Sequence, residues 1–170
     1  KPGDIILGMP SSGLHTNGYS LARKIFFGNN DYGMNDKPLR LQDSIGKTLL
    51  KPHINYTNHV SSTLKTEADI RGIAHITGGG LIENIPRVLP RDCNAIIQKG
   101  SWPTLDVFVA MQSIGKIEEE EMFRTFNMGI GMVFIVNNKD VDIVSGAVKD
   151  LSPIYEIGEI VSGNKHVKIK

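Results

Sequence analysis

The sequence predicts a single α+β domain with at least four helices and five or six strands. Short apolar runs, typical of buried strands, recur along the chain. Several segments between these runs carry apolar residues at three- and four-residue spacing, which is typical of amphipathic helices. No internal repeat, low-complexity tract or linker interrupts the 170 residues, and this length suits one domain.

In the first half of the chain, each predicted element is bounded by a turn or capping signal. The loop Gly28–Lys37 is rich in glycine, asparagine and aspartate, which accept the positive φ angles of turns. Asn17 or Ser20 is the expected cap of the helix before this loop, and Pro52 separates the two helices after it. The predicted elements are a strand over Ile5–Met9 and helices over Tyr19–Phe27, Ser44–Leu50 and Ile54–Lys65.

The second half of the chain is predicted to contain most of the strands. Pro86 indicates a break in the helix that follows three glycines, because proline lacks a backbone N–H. Pro103 precedes the next helix, where that missing donor costs least, and Asn138 is the expected cap of the last helix. The predicted strands are Ile70–Ile76, Ala95–Gln98, Gly131–Val136, Tyr155–Val161 and His166–Ile169, and the helices are Leu81–Leu89, Thr104–Ile114 and Val141–Leu151.

The composition excludes several classes of protein. Hydrophobic residues make up 40% of the chain and charged residues 22%, which leaves enough apolar material for a folded core. The 19 Lys and Arg residues against 18 Asp and Glu give a net charge of +1. Charge therefore favours neither a nucleic acid nor a membrane surface as a partner. No apolar run approaches the ~18 residues that cross a bilayer.

Two features of the sequence bear on the cellular compartment of the protein and on whether this sequence starts a chain. Cys93 is the single cysteine and cannot form an internal disulfide, which indicates a reducing, cytoplasmic compartment. The first residue is Lys1 rather than methionine, and a predicted strand begins almost at once. We therefore expect the sequence to be a piece or a domain of a longer chain, and its start lacks the layout of a secretion signal.

Two loops share one design, in which a strand ends, small residues follow and a helix begins. The first loop contains Ser11, Ser12 and Gly13, and the second contains Thr77 followed by the triple glycine Gly78–Gly80. Small residues let the backbone approach a ligand closely, and free N–H groups at a helix start favour an anion. A tight turn without a ligand remains the alternative for both loops. Neither loop matches a Walker or a dinucleotide-binding motif.

The histidines differ in their surroundings along the sequence. His15 stands beside Asn17 with few apolar neighbours, which favours a polar role, either donating to a phosphate or transferring a proton near neutral pH. His75 ends an apolar strand, so a structural, hydrogen-bonded histidine is an equally good interpretation. The other three are predicted to be surface or structural residues: His53, His59 and His166. The five histidines and one cysteine show no metal-ligand spacing, so no metal site is predicted in this chain.

A polar group precedes the glycines of the segment "MFRTFNMGIGM". Arg124, Thr125 and Asn127 place a guanidinium, a hydroxyl and an amide close together in the sequence. Arg124 is suited to bind a carboxylate or phosphate through two hydrogen bonds. The alternative is an ion pair with Glu120 or Glu121 at helical spacing, and the sequence alone does not separate the two.

Three segments together resemble one enzyme family. "SSGLHTNGYSLARKI", "IAHITGGGLIENIPRVLP" and "EMFRTFNMGIGM" are similar to the C-terminal half of aminoimidazole ribonucleotide synthetases, also called phosphoribosylformylglycinamidine cyclo-ligases. The segments occur in the same order and the resemblance covers nearly all of the chain. Selenophosphate synthetases and thiamine-monophosphate kinases share the architecture but resemble this sequence less. The resemblance implies a mixed, largely antiparallel sheet packed with helices, with residues 1–170 as one substrate-side domain.

The resemblance also implies an activity for the complete enzyme. Such an enzyme is a two-domain homodimer that converts formylglycinamidine ribonucleotide (FGAM) and ATP to aminoimidazole ribonucleotide, ADP and phosphate in de novo purine synthesis. The ATP and Mg²⁺ would be bound mainly by an N-terminal half that this sequence lacks. We therefore expect the isolated half to be inactive on its own. The implied partners are FGAM, the N-terminal domain and a second subunit.

This interpretation assigns a role to each candidate residue. His15 is the catalytic candidate and Asn17 orients it, while Arg124, Thr125 and Asn127 close the pocket. The backbone N–H groups that are expected to hold phosphate belong to two loops, with the members Ser11, Ser12, Gly13, Thr77, Gly78, Gly79 and Gly80. Two other functions stay open: an ATP-dependent small-molecule kinase of the same architecture, and a phosphate-binding or assembly module without catalysis.

Overall fold

The computed structural model describes residues 1–28 and 30–170. In this part of the chain, six strands form one sheet and seven α-helices surround it. The strands are β1 Ile5–Pro10, β2 Ile70–His75, β3 Cys93–Ile97, β4 Ile130–Val136, β5 Tyr155–Ser162 and β6 Val167–Ile169. The helices are α1 Tyr19–Arg23, α2 Ile45–Leu49, α3 Thr57–Leu64, α4 Gly80–Asn84, α5 Asp106–Gly115, α6 Glu119–Thr125 and α7 Val141–Val148. None of the helices in the described residues is long and apolar enough to cross a membrane.

The sheet is mixed and largely antiparallel, which confirms the predicted α+β class. Its strand order is β2-β4-β1-β5-β3-β6, and the pairing of β3 with β6 is parallel while the other four pairings are antiparallel. β4 is an interior strand between β2 and β1 and is buried along its whole length. Its continuous apolar run is the pattern expected of a strand that is covered on both faces.

Alternating side chains of β1 separate two cores. Ile6 belongs to the larger core, together with Phe26 and Phe108 from the helices on that face. Leu7 points to the opposite face and belongs to a smaller core with Val144 of α7. This alternation follows from the two-residue period of a strand. The loops that follow β1 and β2 therefore start from a sheet that is fixed on both faces.

The first helix begins at Tyr19 as predicted, but it differs from the prediction in its cap and in its C-terminal end. It is α-helical only to Arg23 and continues as a π-helical turn over Lys24–Gly28. Its N-cap residue is Gly18, which has φ 76°, and no side chain caps the helix. The prediction that Asn17 or Ser20 would cap this helix is therefore wrong. A backbone in the left-handed region, which glycine adopts without strain, begins the helix instead.

Of two other helix signals, one is confirmed and one is wrong. The helix after the glycines ends before Pro86, and a short 3₁₀ turn over Ile85–Val88 follows it, as expected where proline removes a donor. Asn138 does not cap the last helix: the N-cap of α7 is Asp140, and Asn137 caps the short 3₁₀ turn over Asn138–Asp140 that precedes it. The side chain of Asn137 accepts a hydrogen bond from the backbone N–H of Lys139 at 3.1 Å.

Candidate functional site

The two loops singled out in the sequence lie side by side. We call residues 11–18 the serine loop and residues 76–80 the glycine loop. β1 and β2 both pair antiparallel with β4, so they run in the same direction and end at the same edge of the sheet. Met9 and His75 both align with Met132 of β4 in the two registers. A Cβ atom built on Gly78 would lie 3.6 Å from Oδ1 of Asn17. The loops therefore form one cleft.

Asn127 holds the serine loop in shape. Its side chain is fully buried, with Nδ2 donating to the Gly13 carbonyl at 2.9 Å and Oδ1 accepting from the Gly129 N–H at 2.8 Å. The Ser11 hydroxyl lies 2.9 Å from the same Oδ1 and 3.0 Å from the Gly13 carbonyl. The structure therefore joins Asn127 to Ser11 and Gly13. We call these buried hydrogen bonds of the Asn127 amide the bracket of the serine loop.

Asn84 has the equivalent position under the glycine loop. It is buried, and its Nδ2 lies within hydrogen-bonding distance of the carbonyls of Thr77, Gly78 and Gly80, at 3.3, 3.1 and 2.8 Å. The Thr77 hydroxyl donates to Oδ1 of Asn84 at 3.0 Å. Sequence reasoning missed Asn84. The sequence did offer one signal for it, because Asn84 is a polar residue within the apolar helical stripe that follows the three glycines.

Close packing around the cleft requires glycine at two positions. Gly80 has φ 55°, and a Cβ there would lie 2.5 Å from the carbonyl oxygen of Phe126. Gly131 lies under the serine loop, where a Cβ would collide with the Tyr56 hydroxyl and lie 2.7 Å from Cε1 of His15. Distances below about 3 Å are far inside van der Waals contact. Any larger residue at these positions would therefore displace the loops.

The loops keep fewer open N–H donors than the sequence suggested. The backbone N–H groups of Ser11, Ser12 and Gly80 donate to acceptors inside the domain at 2.8, 3.1 and 3.1 Å. Nδ2 of Asn17 is buried and has no hydrogen-bond partner within the described residues. In the same part of the chain, no hydrogen bond engages the backbone N–H groups of Gly13, Gly78 and Gly79. These donors are therefore left without an acceptor inside the described part of the domain.

His15 occupies the bend of the serine loop. Its backbone is in the left-handed region, with φ 58°, and its side chain is only 3% exposed. The ring Nε2 accepts from the Ser12 N–H at 3.1 Å, which places the ring proton of the neutral form on Nδ1. No partner for Nδ1 exists among the described residues. Burial, followed by the neighbouring His53 and His75, lowers the pKa of His15 to about 4. The ring is therefore neutral at pH 7.

Three histidines form a cluster beside the cleft. His53 stacks on His15, with ring centroids 4.0 Å apart and an interplanar angle of 18°. Nε2 of His53 lies 3.1 Å from Nε2 of His75, and its Nδ1 lies 3.4 Å from the Thr16 hydroxyl. The prediction treated His53 as a surface or structural residue and so missed its place beside the site. No local signal could have found it, because 37 positions separate Thr16 from His53.

An apolar groove of about 650 Å³ adjoins the cluster. His53 and His75 form one end of it, and Tyr56 holds its wall to the end of β1 by donating a hydrogen bond to the Pro10 carbonyl at 2.6 Å. Burial raises the pKa of the Tyr56 phenol, so the hydroxyl stays protonated. The other lining residues come mainly from α3 and the segment before it: Ile54, Asn55, Thr57, Val60, Ser61, Leu64, Lys65 and Met132.

Arg124 and Thr125 face away from the bracket that Asn127 forms. The Arg124 guanidinium is half-exposed and donates to Oε1 of Glu120 at 2.9 Å. The Thr125 hydroxyl donates to Oε1 of Glu121 at 2.7 Å. This ion pair at helical spacing is the alternative that the sequence left open for Arg124.

The described residues offer anion donors rather than a metal centre. Among them, no group of three or more histidine, cysteine, aspartate or glutamate side chains could hold a metal ion. Mg²⁺ prefers carboxylate and phosphate oxygens, whereas the cleft presents mainly N–H groups and imidazoles, with the Glu83 carboxylate beside Gly79. A phosphate fits the donor set of the cleft, whereas a Mg²⁺ ion does not.

Comparison with known proteins identifies the family. Residues 1–170 match the family described as AIR synthase related protein, C-terminal domain. The chain belongs to this family. It is 50% identical over 165 residues to a phosphoribosylformylglycinamidine cyclo-ligase of Thermoanaerobacter sp. (strain X514), which covers 95% of this chain and 48% of that protein. A relative of the same name from Caldicellulosiruptor bescii is 45% identical over 176 residues, with 99% of this chain and 50% of the relative covered. The chain thus spans about half the length of the curated relatives that it matches.

Solved structures share the fold of this AIR synthase related domain at low sequence identity. The thiamine-monophosphate kinase of Stenotrophomonas maltophilia superposes with a TM-score of 0.61 at 18% identity, over 100% of this chain and 51% of the kinase. The hydrogenase maturation protein HypE in complex with ATP gives a TM-score of 0.62 at 15% identity, over 99% of this chain and 48% of HypE. At such identities, the likeness extends to the fold alone.

Proposed function

We propose that this chain is the C-terminal, substrate-side half of a phosphoribosylformylglycinamidine cyclo-ligase. The complete enzyme would convert FGAM and ATP to aminoimidazole ribonucleotide, ADP and phosphate. The observation that carries the proposal is the family match over residues 1–170, together with 50% identity to a relative of that name. The adjacent serine and glycine loops supply a place for an anionic group of the substrate.

The phosphate would lie between the two loops. Three backbone N–H groups and the Asn17 amide are donors that have no internal acceptor in the described part of the domain. The buried side chains of Asn127 and Asn84 maintain the shape of the two loops without a ligand. The donors are therefore arranged before binding. Such preorganisation lowers the entropy that binding would otherwise cost. The donors are the N–H groups of Gly13, Gly78 and Gly79 and Nδ2 of Asn17.

His15 would act as a neutral hydrogen-bond donor. Its Nδ1–H is buried, has no internal acceptor among the described residues, and belongs to a ring whose pKa lies at about 4. A neutral imidazole keeps one N–H, and this group can donate a hydrogen bond to a developing negative charge. Asn17, two positions away on the same loop, would orient the reacting group beside it. These two residues are the catalytic candidates.

The remaining candidates would have indirect or outer roles. Asn127, with Ser11 and Ser12, would keep the serine loop in its binding shape. Arg124 and Thr125 would close the pocket from outside, provided that each exchanges its glutamate for the substrate. Such an exchange costs little because exposed ion pairs contribute less than about 1 kcal/mol.

The other half of the enzyme would hold the nucleotide and the metal. We propose that ATP and Mg²⁺ bind mainly to an N-terminal domain, which also forms the homodimer, and that the enzyme is cytoplasmic without nucleic-acid or membrane partners. ATP would supply the phosphoryl group that turns an amide oxygen into a leaving group. This domain would contribute position and charge stabilisation around the reacting atoms.

The test is an assay of the full-length protein that carries these residues. With FGAM and ATP, we expect aminoimidazole ribonucleotide, ADP and inorganic phosphate in equal amounts, and no turnover by the 170-residue chain alone. A lasting phosphate ester would instead identify a kinase. His15→Ala should lower turnover at least ~10-fold, because a hydrogen-bond donor to the developing charge is lost, whereas His166→Ala should not. Turnover of His15→Ala within about twofold of wild type would remove His15 from the mechanism.

A further inference from the structure

His53 connects the serine loop to the end of β2 through its ring. Its Nδ1 lies 3.4 Å from the Thr16 hydroxyl on the serine loop, and its Nε2 lies 3.1 Å from Nε2 of His75, the last residue of β2, which directly precedes the glycine loop. One face of the ring stacks on His15. Both nitrogens and one face of His53 are therefore engaged, although the residue belongs to neither loop.

These contacts restrict where the protons of the cluster reside. A hydrogen bond between two Nε2 atoms requires one imidazole to donate and the other to accept. If the Thr16 hydroxyl accepts from His53, then His53 accepts from His75, and Nδ1 of His75 is left as an acceptor. If the Thr16 hydroxyl donates to His53, then His53 donates to His75, and Nδ1 of His75 carries the proton and is a donor. In both neutral arrangements, His53 determines which nitrogen of His75 carries the proton.

We propose that His53 is a positioning residue, which fixes the tautomer and the ring orientation of His75 at the end of the apolar groove. His75 is exposed and lines that groove, so its second nitrogen can reach a ligand there. His53 acts on the ligand only through His75. The effect of His53 on kcat rests on the proposed function, whereas its effect on the tautomer of His75 does not.

The groups that face His53 are all neutral or basic. His15 and His75 contact its ring, Tyr56 lies 6.2 Å from His75 between ring centroids, and Lys65 lines the same groove. None of the described residues that line the groove is a carboxylate, so none stabilises a protonated imidazole there. Burial, and then repulsion by His53, holds the pKa of His75 below its ordinary value.

Two substitutions separate the hydrogen bonds of His53 from its stacking. His53→Phe keeps a ring against His15 and removes both hydrogen bonds, whereas His53→Gln keeps a polar amide and removes the ring. His166→Phe changes an exposed histidine elsewhere and is the matched control. Thermal unfolding of each variant, followed by circular dichroism, establishes that the variants compared are folded.

The first readout is NMR of the imidazole nitrogens in the 170-residue chain, without any ligand. Long-range ¹H–¹⁵N correlations report which nitrogen of each neutral ring is protonated. We expect one dominant tautomer for His75 in the wild type and the control, a mixture in His53→Phe, and a population closer to wild type in His53→Gln. The pKa of His75 should rise in His53→Phe because the repulsion is removed. Unchanged tautomers and an unchanged titration of His75 in His53→Phe would overturn the proposal.

The second readout is the pH profile of kcat/KM in the full-length protein with FGAM and ATP. His53→Phe should lower kcat about 10-fold, leave KM within about twofold and move the acid limb to higher pH, with partial recovery in His53→Gln. A normal kcat with an unmoved profile would contradict the positioning role. If the wild type forms no aminoimidazole ribonucleotide, the proposed function fails, and the NMR measurement still decides the role of His53 toward His75.

Discussion

The hydroxyl of Ser11 and Oδ1 of Asn127 lie 2.9 Å apart, although 116 positions separate the two residues in the chain. Ser11 follows β1, and Asn127 precedes β4, which is the neighbour of β1 in the sheet. The pairing of these two strands therefore brings the amide under the serine loop. Since Asn127 also bonds Gly13 and Gly129, the shape of the loop depends on one buried side chain.

Removal of that side chain should destabilise the domain strongly. Asn127→Ala leaves the buried Gly129 N–H without its acceptor and removes one of the two hydrogen bonds of both the Ser11 hydroxyl and the Gly13 carbonyl, and we expect a loss of about 2–4 kcal/mol in the free energy of unfolding. Urea denaturation of the chain measures this loss. Asn164→Ala, at an exposed asparagine, should change it by less than about 0.5 kcal/mol. Equal effects of the two substitutions would show that the bracket contributes nothing.

Gly80 should tolerate no side chain. Gly80→Ala places a Cβ against the backbone carbonyls of Phe123 in α6 and Phe126 just after it, at a residue with φ 55°, and we expect a loss of more than about 2 kcal/mol. The matched control is Gly146→Ala in α7, where an added Cβ meets no atom within 4 Å. Helix propensity there predicts a gain of about 0.5–1 kcal/mol. Thermal unfolding compares the two, and a Gly80→Ala variant as stable as wild type would refute the packing described.

The buried neutral His15 should make stability depend on pH. Its pKa is about 4 in the folded chain and about 6.5 when unfolded, so the unfolded state binds the extra proton between these values. The full stability is present above about pH 6.5 and falls as the pH is lowered toward about 4, by about 2 kcal/mol between pH 7.5 and pH 5 from this residue alone. His59 and His75, whose pKa values burial also lowers, act in the same direction.

His15→Gln removes this contribution while keeping an acceptor for the Ser12 N–H. We expect the fall in stability between about pH 7.5 and pH 5 to be smaller in His15→Gln by about 2 kcal/mol, as measured by urea denaturation at both pH values. His166→Gln, at an exposed histidine, should retain the wild-type dependence. A variant with the same pH dependence as wild type would show that His15 titrates normally in the folded chain.

Arg124 should matter for the substrate and not for stability. Its pair with Glu120 is exposed, so Arg124→Ala should change the free energy of unfolding by less than about 0.5 kcal/mol. In the full-length protein, loss of a charge-assisted bond to the substrate should raise the KM for FGAM about 10-fold. Glu120→Ala frees the arginine and should not raise KM. If Arg124→Ala leaves KM unchanged, the residue is only a surface ion-pair partner.

The strands and helices could be predicted from the sequence where their apolar pattern lies within one short segment. The apolar runs of β1 and β4 and the helical spacing of α5 and α7 are properties of short segments, and the structure places these elements within a few residues of the prediction. The two loops were recognisable because strand ends, small residues and helix starts adjoin in the sequence. The family was likewise readable from three segments, each of which is contiguous.

The contacts that complete the site were not predictable because they join distant positions. His53 meets His75 across 22 positions, and Asn84 was hidden within an apolar stripe. The internal acceptors for the Ser11 and Ser12 N–H groups depend on where Gly129 and the His15 ring lie in space. A local pattern indicates that donors exist, and only the tertiary arrangement determines which of them remain open.

The most direct test of the central claim, that the two loops form one anion site, is an amide ¹H–¹⁵N NMR titration of the chain with inorganic phosphate. We expect the signals of Gly13, Gly78 and Gly79 to shift together along one binding curve, while those of Gly100 and Gly146 stay in place. Different curves for the two loops, or shifts no larger than those of Gly100 and Gly146, would contradict the account.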